Sequence, residues 1–196
     1  MILLGSNLHD ASIMSLQTGG EVGHTTEPLI DPADLSIKAY LVESSLIEDG
    51  LRPILRIADV RELSDMGFIV DSIDEITELS DVIKLQELAD QNFHLKDMSV
   101  TDEKRNVLGK VVDFTLDTTT FTVQQLTVRR PLFKSFNDTE LVIHRSQIIE
   151  INDRSIVVHS AAKVPEPELH EVVGSYVNPF SKSHGTAPES IETDKR

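Results

Sequence analysis

Apolar and polar residues alternate with a period of two at two places in the chain. Leu35, Ile37, Ala39 and Leu41 are interleaved with Asp34, Ser36, Lys38 and Tyr40, and Phe121, Val123 and Gln125 with Thr120, Thr122 and Gln124. Successive side chains of an extended strand point to opposite faces, so this period predicts half-buried β-strands. Turn chemistry punctuates them. Thr18-Gly19-Gly20 and Asp31-Pro32-Ala33-Asp34 carry residues that supply positive φ or preset a tight turn, and Lys104-Arg105-Asn106 and Asp117-Thr118-Thr119-Thr120 fall at the corresponding places. Asp31 and Asp117 are expected to brace these turns by accepting hydrogen bonds from backbone amides.

The two patterns are copies of one block. The stretch Gly19–Val42 reappears as Arg105–Val128, about 86 positions on, with Gly23 on Gly109, Asp31 on Asp117, Leu35 on Phe121, Tyr40 on Leu126 and Val42 on Val128. After a two-residue insertion Ala58–Ser72 aligns with Ser146–Ser160. Length change confined to a loop is what related globular units show, because packed strands do not tolerate it. A period this long marks a domain-sized unit, since solenoid and propeller repeats run at roughly 20 to 50 residues. Glycine inside a strand weakens it, so Gly23 and Gly109 predict a bend or a close backbone approach in each copy. The chain therefore reads as a first unit at 1–72, a connector at 73–93, a second unit at 94–162 and a tail at 163–196. Units of about 70 residues are small for a self-sufficient core, so the copies are expected to pack on each other.

The connector and the tail have other characters. Ser72 with Glu75 has capping-box spacing, and Ser80-Asp81 offers a second start ahead of Val82, Ile83, Leu85, Leu88 and Ala89. The second predicts a helix at about 81–91 whose apolar face covers the side of a unit. The tail is rich in Pro, Ser, Thr and Glu, too poor in apolar residues to offset chain entropy, and is expected to be disordered. Its one apolar island holds Val172, Val173, Tyr176, Val177 and Phe180.

Composition removes several function classes. With no cysteine the chain has no disulfide, thiolate metal site or cysteine nucleophile. The seven histidines lack the local spacing of a metal site, and neither a phosphate-binding loop nor a nucleophile-elbow motif is present. Paired carboxylates such as Glu48-Asp49 and Asp102-Glu103 read as solvated loop charges. A net charge of −15 argues against direct nucleic-acid binding, which needs clustered Lys and Arg. No stretch approaches a membrane span and the start lacks a secretory pattern, so a cytoplasmic protein is expected. The charge is uneven: residues 1–72 carry 4 basic and 12 acidic residues, and residues 94–162 carry 9 of each. One cluster stands out, Arg129-Arg130-Pro131-Leu132-Phe133-Lys134, where the first copy has Glu43-Ser44-Ser45-Leu46-Ile47-Glu48. Arginine and exposed aromatics are enriched in interfaces. The candidate partner-binding residues are thus Arg129, Arg130, Phe133 and Lys134, with Tyr176, Val177 and Phe180 in the tail.

The shared pattern resembles the PRC-barrel family most in NVLGKVVDFTLDTTTFTVQQLTV (Asn106–Val128), and GEVGHTTEPLIDPADLSIKAYLV (Gly20–Val42) resembles a more divergent member. The resemblance covers about 140 residues. It implies an all-β protein of two small antiparallel β-barrels in tandem, joined by one helix, that binds other macromolecules without catalysis, cofactor or metal. The expectation is a cytoplasmic adaptor or scaffold for protein partners, with self-association compatible with the sequence. The rivals are a ribosome-maturation or RNA-associated factor acting through a ribosomal protein and a small-ligand or enzymatic module using a cleft between the copies.

Overall fold

A computed structural model describes residues 1–130, 140–152 and 154–159. These residues are mostly β, with one α-helix. The strands are β1 (Ile2–Leu4), β2 (Ser12–Ser15), β3 (Glu21–Ile30), β4 (Ile37–Glu43), β5 (Pro53–Arg56), β6 (Glu62–Ser64), β7 (Gly67–Val70) and β8 (Ile76–Glu78). After the helix α1 (Ile83–Asp90) come β9 (Ser99–Asp102), β10 (Val107–Asp117), β11 (Thr122–Arg129), β12 (Glu140–His144), β13 (Ile148–Ile151) and β14 (Ser155–Val158). They form two seven-stranded sheets, one ordered β6-β7-β2-β3-β4-β5-β8, the other β13-β14-β9-β10-β11-β12 with β1 added against β10.

Six strands of each sheet follow the same order, and the irregularities recur with them. The β3/β4 ladder slips between Thr25 and Pro28 and between Leu29 and Ile30, and the β10/β11 ladder slips at the equivalent Val111/Asp113 and Thr115/Leu116. Asp10 and Asp97 share positive φ, as do Leu35 (58°) and Phe121 (49°). Two strand pairs break the pattern of purely antiparallel units read from the sequence: β2 pairs with β7, and β9 with β14, in parallel. The β6–β7 and β13–β14 hairpins each add one reversal, so the last strand returns beside the first in the same direction. β1, assigned with the first unit by its position in the chain, is hydrogen-bonded in the second sheet, with Ile2 opposite Asp117 and Leu4 opposite Thr115.

The slips explain which side chains point inward. Opposite Leu29 and Ile30, β4 presents Ala39 and Ile37, so Lys38 is an extra residue, and Gln124 is its counterpart in β11. An extra residue reverses the alternation. Tyr40, in the polar phase of the sequence pattern, is therefore 1 % exposed, and Gln125, in the apolar phase, faces out. The face opposite Tyr40 is covered as well: Ala39 and Ile54 pack with Leu79 and Leu85, against which Leu29, Leu41 and Leu88 also lie. That cover is α1, which begins at Ile83 after a single turn over Leu79–Asp81, with no side-chain cap from Ser80 or Asp81. Among the described residues no helix covers Gln125 and Thr127, which are polar.

One continuous apolar core draws on both halves, from Leu8, Ile13 and Phe68 to Leu95, Val100 and Phe121. Phe68 stacks at a tilt 6.2 Å from Phe121 and 5.4 Å from Tyr40, ring centre to ring centre. At the junction the halves meet reciprocally. Ile37 N–H donates to Phe121 O (2.8 Å), Val123 N–H donates to Leu35 O (2.9 Å), and Ser36 lies opposite Thr122. Each residue thus contacts the equivalent of its own neighbour, the signature of an isologous, approximately two-fold contact.

The aspartates act at turns as expected. Asp31 Oδ1 accepts from Ala33 N–H (2.9 Å) and Asp117 Oδ1 from Thr119 N–H (3.0 Å). Asp102, read from the sequence as a solvated loop charge, is instead buried and closes the β9–β10 turn by accepting from Lys104 N–H (2.9 Å), Asn106 N–H (2.8 Å) and Asn106 Nδ2 (2.8 Å). The Asn106 side chain is the main reason its carboxyl stays below the usual range. A carboxyl depressed by folding contributes fully above its unfolded value of about 4 and loses that contribution as pH falls through the folded value. Asp102→Asn is therefore expected to lower the urea midpoint at pH 7, with the gap from wild type shrinking as pH falls below the unfolded value and through the folded one. A gap unchanged with pH would exclude this role.

Candidate functional site

The two glycines singled out in the sequence shape the ends of β4 and β11. A Cβ on Gly23 would lie 2.8 Å from the Glu43 carbonyl oxygen, and one on Gly109 2.1 Å from that of Arg129. Only a bare α-carbon lets β3 and β10 press against these strand ends. The close approach sets the residues flanking the glycines opposite the last residues of the neighbouring strands: His24 against Glu43, and Lys110 against Arg129.

The charge at this architectural position is opposite in the two halves. In the first, Glu43 leads into a turn in which Ser44 Oγ donates to Val22 O (2.6 Å) and accepts from Leu46 N–H (3.1 Å). The loop bounds a concavity of about 440 Å3, whose lining includes His24, Glu43, Glu48, Asp49 and Leu51. Leu46 and Leu51 are 61 % and 49 % exposed. His24 Nδ1 lies 3.4 Å from Glu21. Glu43, Glu48 and Asp49 have no ion-pair partner among the described residues.

In the second half Lys110 and Arg129 stand directly opposite one another, a cross-strand arrangement that like charges disfavour. Glu140, opposite Arg129 on its other side, approaches Arg129 Nη2 at 3.9 Å, with both side chains largely exposed. Lys110 and Arg130 have no ion-pair partner among the described residues. Of the partner-binding residues expected from the sequence, the structure thus places Arg129 and Arg130 at a basic strand end. Phe133, Lys134, Tyr176, Val177 and Phe180 lie outside the described residues, as does the tail from 163 to 196. Sequence reading missed Lys110, whose role appears only once the β10/β11 register is known, and Leu51, hidden in what read as polar loop.

A second recess of about 260 Å3 lies between the halves, lined in part by the equivalent pairs His9 and Lys96, Glu27 and Asp113, and Pro28 and Phe114. A small-ligand module would need such an apolar recess with ionisable groups, yet most of these groups are already engaged. Asp113 accepts from Ser6 N–H and Oγ (3.2 and 2.6 Å) and from Phe114 N–H (2.8 Å), and His9 Nδ1 bonds Thr26 O (3.1 Å). His94 Nε2 bonds Asn92 Oδ1 (3.2 Å). Burial pushes the Tyr40 hydroxyl far above its ordinary pKa, and that hydroxyl has no hydrogen-bond partner among the described residues. The Ser146 hydroxyl lies 2.8 Å from His144 Nδ1 on an exposed turn outside the recess, and no cluster of three or more His, Asp or Glu able to hold a metal occurs among the described residues. No described helix is long and apolar enough to cross a membrane.

No protein-family model matches the sequence, and no curated protein matches it.

Proposed function

We propose that this chain is a non-enzymatic adaptor or scaffold, made of two PRC-barrel-like units fused through one core, that holds protein partners at its strand ends and through its tail. The observation that carries this reading is the recurrence of one six-strand order with opposite charge at one position, Glu43 in one half and Arg129 in the other. A duplicated frame whose exposed ends have diverged offers two different surfaces on a rigid support, as an adaptor needs. The exposure of Arg129 and of Leu46 and Leu51 fits this, since arginine and solvent-facing apolar residues supply contact area in interfaces.

The test is capture of binding proteins from the native cytoplasm with three baits: the full chain, residues 1–162, and Arg129→Glu/Arg130→Glu. The double variant is expected to lose at least one captured protein while its melting temperature changes by no more than about 2 °C, because exposed charges contribute under about 1 kcal/mol to stability. A large fall in melting temperature would instead show that the arginines dock within the molecule. Identical captures by all three baits would remove the adaptor reading.

A further inference from the structure

The Glu43 end and the Arg129 end are related by the same approximate two-fold that relates the halves. A dimer formed by joining two copies through either end alone would set like charge on like charge. Joining the acidic end of one molecule to the basic end of the next sets Glu43, Glu48 and Asp49 against Lys110, Arg129 and Arg130. Close pairs of this kind select register and partner, and like-charge juxtaposition excludes the competing arrangement. The apolar component is present on both sides, with Leu46 and Leu51 beside the acidic concavity and Val142, 57 % exposed, on β12 opposite Thr127 of the basic end.

We infer that the partner of the basic strand end is a second copy of this chain, bound head to tail through its acidic loop. The inference rests on the proposed role of Arg129 and Arg130 as a binding surface and supplies the partner. Its geometry has a consequence that a simple dimer lacks. A heterologous contact leaves one acidic and one basic end free after every addition, so association continues until a ring closes or a filament grows. Distribution of charge within the chain permits this despite a net charge of −15, since residues 94–162 balance 9 basic against 9 acidic residues and the excess lies elsewhere.

The test uses the full chain in sedimentation velocity over a wide concentration range, at about 0.1 M and about 1 M salt, where the screening length falls from about 10 Å to about 3 Å. Wild type is expected to gain mass beyond two copies as concentration rises at the lower salt, and to be monomeric at the higher. Arg129→Glu/Arg130→Glu, which makes both ends acidic, and Glu43→Lys/Glu48→Lys/Asp49→Lys, which makes both basic, are each expected to be monomeric. An equimolar mixture of the two is expected to associate, and so is the chain carrying all five substitutions, because its ends are exchanged but still complementary. Melting curves establish that each variant is folded.

A wild type that is monomeric throughout, that stops at a dimer, or whose association survives either charge reversal would overturn the inference. The adaptor reading fails separately. If the chain is monomeric yet Arg129→Glu/Arg130→Glu loses a captured protein of different identity, the basic end is a binding surface and its partner is not a second copy.

Discussion

Gly109→Ala is expected to destabilise the protein by about 2 to 3 kcal/mol, the upper part of the range for overfilling a packed site, and to lower the melting temperature by roughly 5 to 10 °C. The added methyl would lie 2.1 Å from the Arg129 carbonyl oxygen and 2.8 Å from Val128 Cγ1. The first of these is backbone already committed to the β10/β11 ladder, so it cannot turn aside as a flexible side chain does. At an unconstrained position the same substitution stabilises by about 0.4 to 1 kcal/mol through the unfolded chain, so even the sign is diagnostic. Gly23→Ala is the internal control. Its methyl would lie 2.8 Å from the Glu43 carbonyl oxygen, and its nearest other contacts are side-chain atoms of Val42 and Ser44 at 3.0 and 3.1 Å, so a smaller loss is expected. Urea denaturation of both variants checks the ranking. Equal stabilities would mean that the strand ends are not held by glycine contacts.

Phe68→Ala carries the largest expected cost, about 3 to 5 kcal/mol, the usual loss for a buried phenylalanine. Phe68 is fully buried between Tyr40 of its own half and Phe121 of the other. Against a total stability of about 5 to 15 kcal/mol the change brings the fold near its limit. Since the core is continuous across the halves, protection against hydrogen exchange is expected to fall by a similar amount in β3 and β4 and in β10 and β11. Loss confined to residues 1–72 would show that the halves unfold independently and that the shared core couples them little.

Much of the frame was legible in the residues. The repeat anticipated two β-rich copies of one unit, Asp31 and Asp117 mark turns because a short carboxylate can reach the amide two residues on, and the two interior glycines mark backbone contacts. The strand phase was not legible past Lys38 and Gln124. An extra residue in a ladder leaves no compositional mark, so a period of two carries the reader onto the wrong face at Tyr40 and Gln125. The position of β1 was hidden for another reason: Ile2–Leu4 is too short to show a period, and its partner lies more than a hundred residues away. At the candidate site, the reversed charge of Glu43 and Arg129 was visible in the alignment of the copies, whereas Lys110 joined it only through cross-strand register. The short helix was legible from its apolar spacing, but its start was not, because the turn over Leu79–Asp81 takes the residues that resemble caps.

The pairing of β1 with β10 bears on how the molecule is made. Ile2 is synthesised about 115 residues before Asp117, its partner in the ladder. At ribosomal rates of about 5 to 20 residues per second that interval is roughly 6 to 23 s. During it the sheet containing β3 and β4 can assemble while β1, with Leu3, remains without its docking strand. Closure of the second sheet therefore waits for β10, and until that strand emerges the nascent β1, with the core-packed Leu3, is an unpaired edge that a chaperone could shield.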